Sequence, residues 1–279
     1  MKTKRKLWLT IGIVIFLAFT ISYIAWANKA LQINTYKIES HKIAQESIKI
    51  AHISDLHNNE IGNANKKLIS TLESTSPDII AITGDLIDSR NTDSDIALDF
   101  IKKASEIAPC YYSNGNHEAR VQNEYTTLKE KMVTLGVTVL ENTAINIELN
   151  GNNINIIGVN DPDFYTEQAD IIIDKNIKGI KTGGEYTVLL SHRPELFDVY
   201  IDNDIDLVLS GHAHGGQFRL PYIGGLFAPH QGILPKYDSG LYSKNNTNMI
   251  VSRGIGNSLF PFRFNNKPEI ILVELVSKK

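Results

Sequence analysis

The chain has 279 residues, 42% of them apolar, one cysteine and a formal net charge of −3. That length and apolar share suffice for a packed core and exclude a disordered chain. A lone thiol, Cys110, excludes an internal disulfide and a thiolate metal cluster, so any metal must sit among histidines, carboxylates and amides.

Met1 to Lys6 carries four basic residues, and the run that follows, Leu7 to Ala27, carries no charge. As a helix at ~1.5 Å per residue, such a run reaches across the ~30 Å hydrocarbon core of a bilayer. Ala25-Trp26-Ala27 also resembles a signal-peptide cleavage site, but the apolar run exceeds the usual ~7–15 residue signal core, which favours an uncleaved anchor. With Lys2, Lys4, Arg5 and Lys6 held in the cytoplasm, everything after Ala27 is predicted to lie outside it, as a single-pass protein of the cell membrane. Taking those four charges from the net −3 leaves the remainder at −7, so no nucleic-acid partner is expected.

Residues 28–47 read as a linker with a first extended segment around Ile33 to Ile38, and residues 48–279 as one catalytic domain without internal repeats. Ser47 to Ser54 reads as a buried strand, Ala64 to Leu72 as a helix with Leu68, Ile69 and Leu72 on one face, and Pro77 to Gly84 as a second strand. A helix over about Asp95 to Ala108, the strand PCYYSNG and a helix over about Glu124 to Leu135 complete a βαβαβα half, with Asn114 to Glu118 as a loop. Ile145 to Leu149 and Ile154 to Val159, separated by Asn-Gly, predict a hairpin. Helical Glu167 to Ile177, strand EYTVLLSH, a short helix from Pro194 and strand IDLVLSGH follow, and the C-terminal part is strand-rich. Two sheets packed face to face with helices outside accommodate this order.

Four strand ends deliver polar groups of one kind: Asp55-Leu56-His57, Gly84-Asp85, Gly115-Asn116-His117-Glu118, and His192, His212 and His214. In extended backbone, residues i and i+2 share a side, so Asp55 with His57, and His212 with His214, can each converge on one place. Individually each has a plain structural use: Asp55 as a helix cap, Asp85 and Asn116 as turn residues, any single histidine as a core group. Their recurrence after strand upon strand, with no cation among them, favours metal ligation.

In its order D-x-H, G-D, G-N-H-E, H, G-H-x-H, the chain resembles the calcineurin-like metallophosphoesterases over roughly residues 48 to 275. SHRPELF, SGHAHGGQF and SRGIG are similar to a membrane-associated bacterial phosphodiesterase group. The resemblance implies a four-layer αββα sandwich of the α/β class, here with an N-terminal transmembrane helix, and two metal ions at the carboxyl ends of the inner strands. Asp55, His57 and His214 would hold one ion, Asn116, His192 and His212 the other, and Asp85 would bridge them. His117, in an extended loop and facing away from Asn116, would serve the leaving group, and Glu118 would orient a histidine from behind the ligands. Nitrogen and oxygen donors without sulfur suit Mn, Fe or Zn.

His52 reads as a packed core residue, Asp161 and Asp163 as turn residues, Cys110 as inert, and His41 and His230 lie outside the motif. Arg253, beside Gly254 and Gly256, is the best phosphate-contact candidate among the arginines, ahead of Arg219 and Arg263. LPYIGGLF, Leu220 to Phe227, could form a lipid-facing lip but is favoured as an ordinary packed loop. The expected activity is phosphoester hydrolysis, most of all of a phosphodiester, on a lipid or envelope-linked substrate. Rivals are a pyrophosphatase acting on a nucleotide-linked lipid and a metal-stabilised binding module without turnover.

Overall fold

The computed structural model describes residues 2–181, 183–257 and 260–278; Met1, at the head of the basic tail, lies outside them, as do Thr182, Ser258, Leu259 and Lys279. In chain order the N-terminal half comprises α1 (Lys2–Ala27), β1 (Gln32–Ser40), β2 (Ile48–Ile53), α2 (Lys66–Ser74), β3 (Ile79–Thr83), α3 (Asp95–Ser105), β4 (Cys110–Ser113), α4 (Asn116–Arg120), α5 (Gln122–Thr134) and β5 (Thr138–Val139). Then come β6 (Thr143–Leu149), β7 (Asn152–Gly158), α6 (Ala169–Ile180), β8 (Tyr186–Leu190), α7 (Phe197–Asp202) and β9 (Leu207–Ser210). The short strands β10 (Arg219–Leu220), β11 (Gly224–Gly225), β12 (Phe227–Ala228) and β13 (Gly232–Ile233) precede β14 (Gly240–Lys244), β15 (Thr247–Val251) and β16 (Glu269–Ser277).

Among the described residues two six-stranded sheets form, ordered β1-β16-β2-β3-β4-β5 and β14-β15-β9-β8-β7-β6. Between them lie Ile48, Ile50, Ile79, Ile154, Ile156, Val188, Leu207 and Leu209, all buried. A second apolar cluster joins the first sheet to α2, α3 and α5 through Leu68, Phe100, Ile101 and Leu128, and a third joins the other sheet to α6 and α7 through Ile173, Ile177 and Tyr200. The molecule is therefore the αββα sandwich expected. Strands covered on both faces need apolar side chains on both, which is why IIAIT of β3 is buried throughout and does not alternate.

β2, β3 and β4 run parallel in one sheet, and β7, β8 and β9 in the other. Their carboxyl ends meet at one edge of the sandwich, where the loops carry the polar residues singled out above. The Asn150-Gly151 turn joins β6 to β7 with both residues left-handed, at φ 51° and 73°, as the favoured hairpin turn requires. Asn116 to Glu118, read as an extended loop, instead open α4. A five-residue helix is too short to show a periodic pattern, and it forms because Glu118 folds back to accept the Gly115 N–H at 2.8 Å.

Candidate metal centre

Asp55, His57, Asp85, Asn116, His192, His212 and His214 converge at that edge, and all seven are buried. Five of them, Asp55, His57, Asp85, His212 and His214, have left-handed backbone, with φ between 47° and 66°. Asp55 and His57 thus converge, and His212 and His214 part to two donor groups, through strained turns and not through the extended backbone that their i, i+2 spacing suggested. Left-handed residues other than glycine cost of order 1–3 kcal/mol each and persist only where surrounding structure enforces them. Here Asp55 N–H donates to Gly84 C=O at 3.1 Å and His57 N–H to Asp85 C=O at 3.0 Å, while His212 N–H faces the Asp55 carboxylate at 3.2 Å.

Asp55 Oδ1, His57 Nε2 and His214 Nε2 form one group of donors: His214 Nε2 lies 3.3 Å from Asp55 Oδ1 and 3.2 Å from His57 Nε2. Asp85, His192 and His212 form a second group. Asp85 Oδ2 stands between the two, 3.5 Å from His57 Nε2 and 3.1 Å from His192 Nε2. His192 Nδ1–H donates to Thr83 C=O at 2.7 Å, leaving its Nε2 aimed at Asp85. The Asn116 amide is 2.8 Å from His212 Nδ1.

The electrostatics fit a cation. Burial alone would lower the His192 pKa, yet the Asp85 and Asp55 carboxylates push it up to about 10. His57 is likewise raised against the effect of its burial by Asp55 and Asp85. The imidazoles of His57 and His214 bring two nitrogens face to face, an arrangement that suits shared coordination, and each ring's Nδ1 is buried without a hydrogen-bond partner. Carboxylate, amide and imidazole donors without sulfur match a divalent metal centre.

Around the centre, three arrangements differ from the sequence reading or go beyond it. Glu118 orients no histidine; its two carboxylate oxygens accept backbone N–H groups of Asp85, Leu86, Gly115 and, at 3.3 Å, Ile87, and so fix the loop that carries Asp85. Burial and the nearby Asp85 charge push its pKa up to about 7. Arg193, only 2% exposed, forks onto Asp161 at 2.6 and 2.7 Å, reaches Asp163 at 2.6 Å and lies 2.7 Å from His230 Nδ1. His230 Nδ1 in turn lies 2.9 Å from His212 Nε2. Asp161 is therefore a buried ion-pair partner as well as the turn residue expected, since it also accepts the Asp163 N–H. The sole sequence signal for this group is the adjacency of Arg193 to His192; its partners lie some thirty residues away on both sides.

Arg253 does not reach the cavity; it packs beside Gly215 and lies 3.7 Å from Glu269. Arg263 is fully buried, donating to the carbonyls of Arg253 and Gly256. His52 is a core group bonded to Thr83 Oγ1 at 2.8 Å, and Cys110 is buried with its thiol pushed up to about 12 by burial. His117 sits at the wall of a cleft of about 140 Å³ that Ser89, Arg90, Arg120 and Pro229 also line. Its Nδ1 accepts the Ser89 N–H at 2.9 Å, so in the neutral ring the proton resides on Nε2, 4.0 Å from Asp85 Oδ2.

The family model described as calcineurin-like phosphoesterase matches residues 48–216. The metallophosphoesterase YkuE of Bacillus subtilis is 31% identical over 83% of this chain and 80% of its own. YkoQ of the same organism is 28% identical over 94% of this chain and 96% of its own, and the phosphodiesterase YaeI of Escherichia coli 30% over 72% and 71%. The fold of TT1561 from Thermus thermophilus is similar, with a TM-score of 0.53 and 14% identity over 75% of this chain and 91% of that one. Together with the converged aspartates and histidines, these matches establish that the chain belongs to the calcineurin-like phosphoesterases, enzymes that hydrolyse phosphoesters at a divalent metal centre.

Proposed function

We propose that the protein is a two-metal phosphodiesterase tethered to the cell membrane by α1, with its catalytic domain outside the cytoplasm. The observation that carries the two-metal reading is the single oxygen Asp85 Oδ2 lying within 3.5 Å of donors from both groups. Asp55, His57 and His214 would hold one ion, Asn116, His192 and His212 the other, with Asp85 shared; Mn, Fe or Zn suit these donors. Bound ions would supply charge for the phosphoryl oxygens and acidify the attacking water.

The chain's own groups supply the rest. His117 Nε2–H faces the cleft and would donate a hydrogen bond to the departing oxygen as the P–O bond breaks, stabilising its charge until water protonates it. Glu118 holds the Asp85 loop, and the Arg193–His230 pair buttresses the face of His212 turned away from Asn116. Preference for a diester is supported by the name of the relative YaeI.

The test is hydrolysis of bis-p-nitrophenyl phosphate by the full chain in detergent. Turnover should vanish on chelation, return with Mn²⁺, and be absent from an Asp85→Asn variant that still folds. A fully metallated protein without turnover would identify a binding module instead.

A further inference from the structure

The end of α1 is built into the catalytic edge of the domain. β1 pairs parallel with β16, and β16 antiparallel with β2, so the start of β1 lies at the same edge as the end of β2, which leads into Asp55. Four residues separate Ala27 from β1. Asn28 is clamped to Arg263, accepting its N–H at 2.9 Å and donating to its C=O at 3.1 Å. The Tyr23 ring is 6.0 Å from that of Phe264, and Lys267 Nζ lies 4.6 Å above the Trp26 ring.

The same segment carries the small hairpins β10–β11 and β12–β13. Arg219 N–H donates to Phe264 C=O at 3.0 Å, and Phe218 packs edge-on against Phe260 and Phe262. At the other side the hairpins root in the metal centre: Arg219 Nη1 donates to Gly215 C=O, one residue beyond His214, and Pro229 lines the cleft. Their outer ends expose Tyr222, Ile223, Ile233 and Leu234, with Ile233 81% exposed, and Phe260 and Phe262 are exposed beside them. Apolar side chains gathered this way on one platform mark an interaction surface more often than a plain solvent face.

We propose that this platform seats in the interfacial layer of the bilayer that α1 enters, so that the cleft opens along the membrane surface. The inference rests on reading α1 as a membrane anchor. A platform hydrogen-bonded to Asn28, the first residue after the apolar run, has to lie at headgroup depth, where Tyr, Trp and Phe rings are at home. Lys29 and Lys267 flank the helix end, placed for anionic headgroups.

The full chain is reconstituted in phosphatidylglycerol/phosphatidylethanolamine vesicles with an environment-sensitive maleimide dye on Tyr222→Cys, Ile233→Cys or, as control, Asn153→Cys. Asn153 is exposed near the start of β7, at the opposite edge, and buried Cys110 takes no dye. Lipids bearing a nitroxide at headgroup depth should quench most of the emission at 222 and 233 and leave 153 unchanged. Flotation of the same vesicles reports α1 separately. Protein that floats with all three dyes equally bright overturns the seat while sparing the anchor; blue-shifted dyes at 222 and 233 that the nitroxide leaves bright assign the platform to another protein surface and also overturn it. Protein that does not float removes the anchor and the seat together.

Discussion

His117 shows how a neighbouring backbone group can set a side chain's chemistry. The Ser89 N–H at Nδ1 forces the neutral tautomer with its proton on Nε2, the nitrogen at the cleft wall. Burial lowers its pKa to about 4, with Asp85 and Asp88 opposing that shift. A hydrogen bond from Nε2–H to a departing oxygen matters only when that oxygen is a poor leaving group and gathers charge. We expect His117→Ala to slow alkyl phosphodiesters by about 10²–10³-fold and nitrophenyl diesters little, in steady-state kinetics on matched substrates. Equal slowing of both would show that the ring positions substrate and does not serve the departing oxygen. Glu118 makes a companion case: replacing it by Gln presents an NH₂ group to N–H donors, and metal affinity should drop about 10–100-fold in a chelator competition. An unchanged affinity would mean that the Asp85 loop holds itself in place.

At the scale of the elements, close approach between loops is what brings the carboxyl ends of β3 and β4 together. A Cβ on Gly84, whose φ is +75°, would stand 2.5 Å from the Gly115 nitrogen, which is backbone and has nowhere to go. Gly136 has a similar φ of +88° but open space around it. Alanine at either site bears the left-handed penalty of about 1–2 kcal/mol, and only Gly84→Ala adds an overlap worth about 1–3 kcal/mol more. Urea denaturation of the two variants should separate them by that second amount, and equal midpoints would show that the loop relaxes freely. The strands β2, β3, β8 and β9 were legible in the sequence because burial on both faces leaves an unbroken apolar run. The short hairpins β10 to β13 were not, because two-residue strands built largely of glycine and outward-facing apolar residues have no period, and LPYIGGLF looked like a packed loop. The ligand residues were legible as residue types at strand ends. Their left-handed turns, the Glu118 clamp and the Arg193–Asp161 pair were not, since they depend on contacts between residues three to 157 positions apart that no local pattern encodes.

For the whole molecule, one topological fact governs where chemistry takes place: the start of β1 and the ends of β2, β3 and β4 share an edge, so helix and metal centre face the same way. With α1 as the proposed anchor, charge would decide which side of the membrane that edge occupies. Lys2, Lys4, Arg5 and Lys6 precede the apolar run, and the first basic residue after it, Lys29, stands alone before Lys37. Retaining the four-charge end in the cytoplasm would put residues 28–279 outside, as proposed. The single native cysteine makes this measurable, because Cys110 is buried and its thiol, pushed up to about 12, stays protonated and unreactive at pH 7. A new thiol at exposed Asn153 should then be labelled in intact cells by a membrane-impermeant maleimide, while the unmodified chain stays unlabelled. Labelling that appears only after lysis would place the catalytic domain in the cytoplasm and turn the search for its substrate to the inner leaflet.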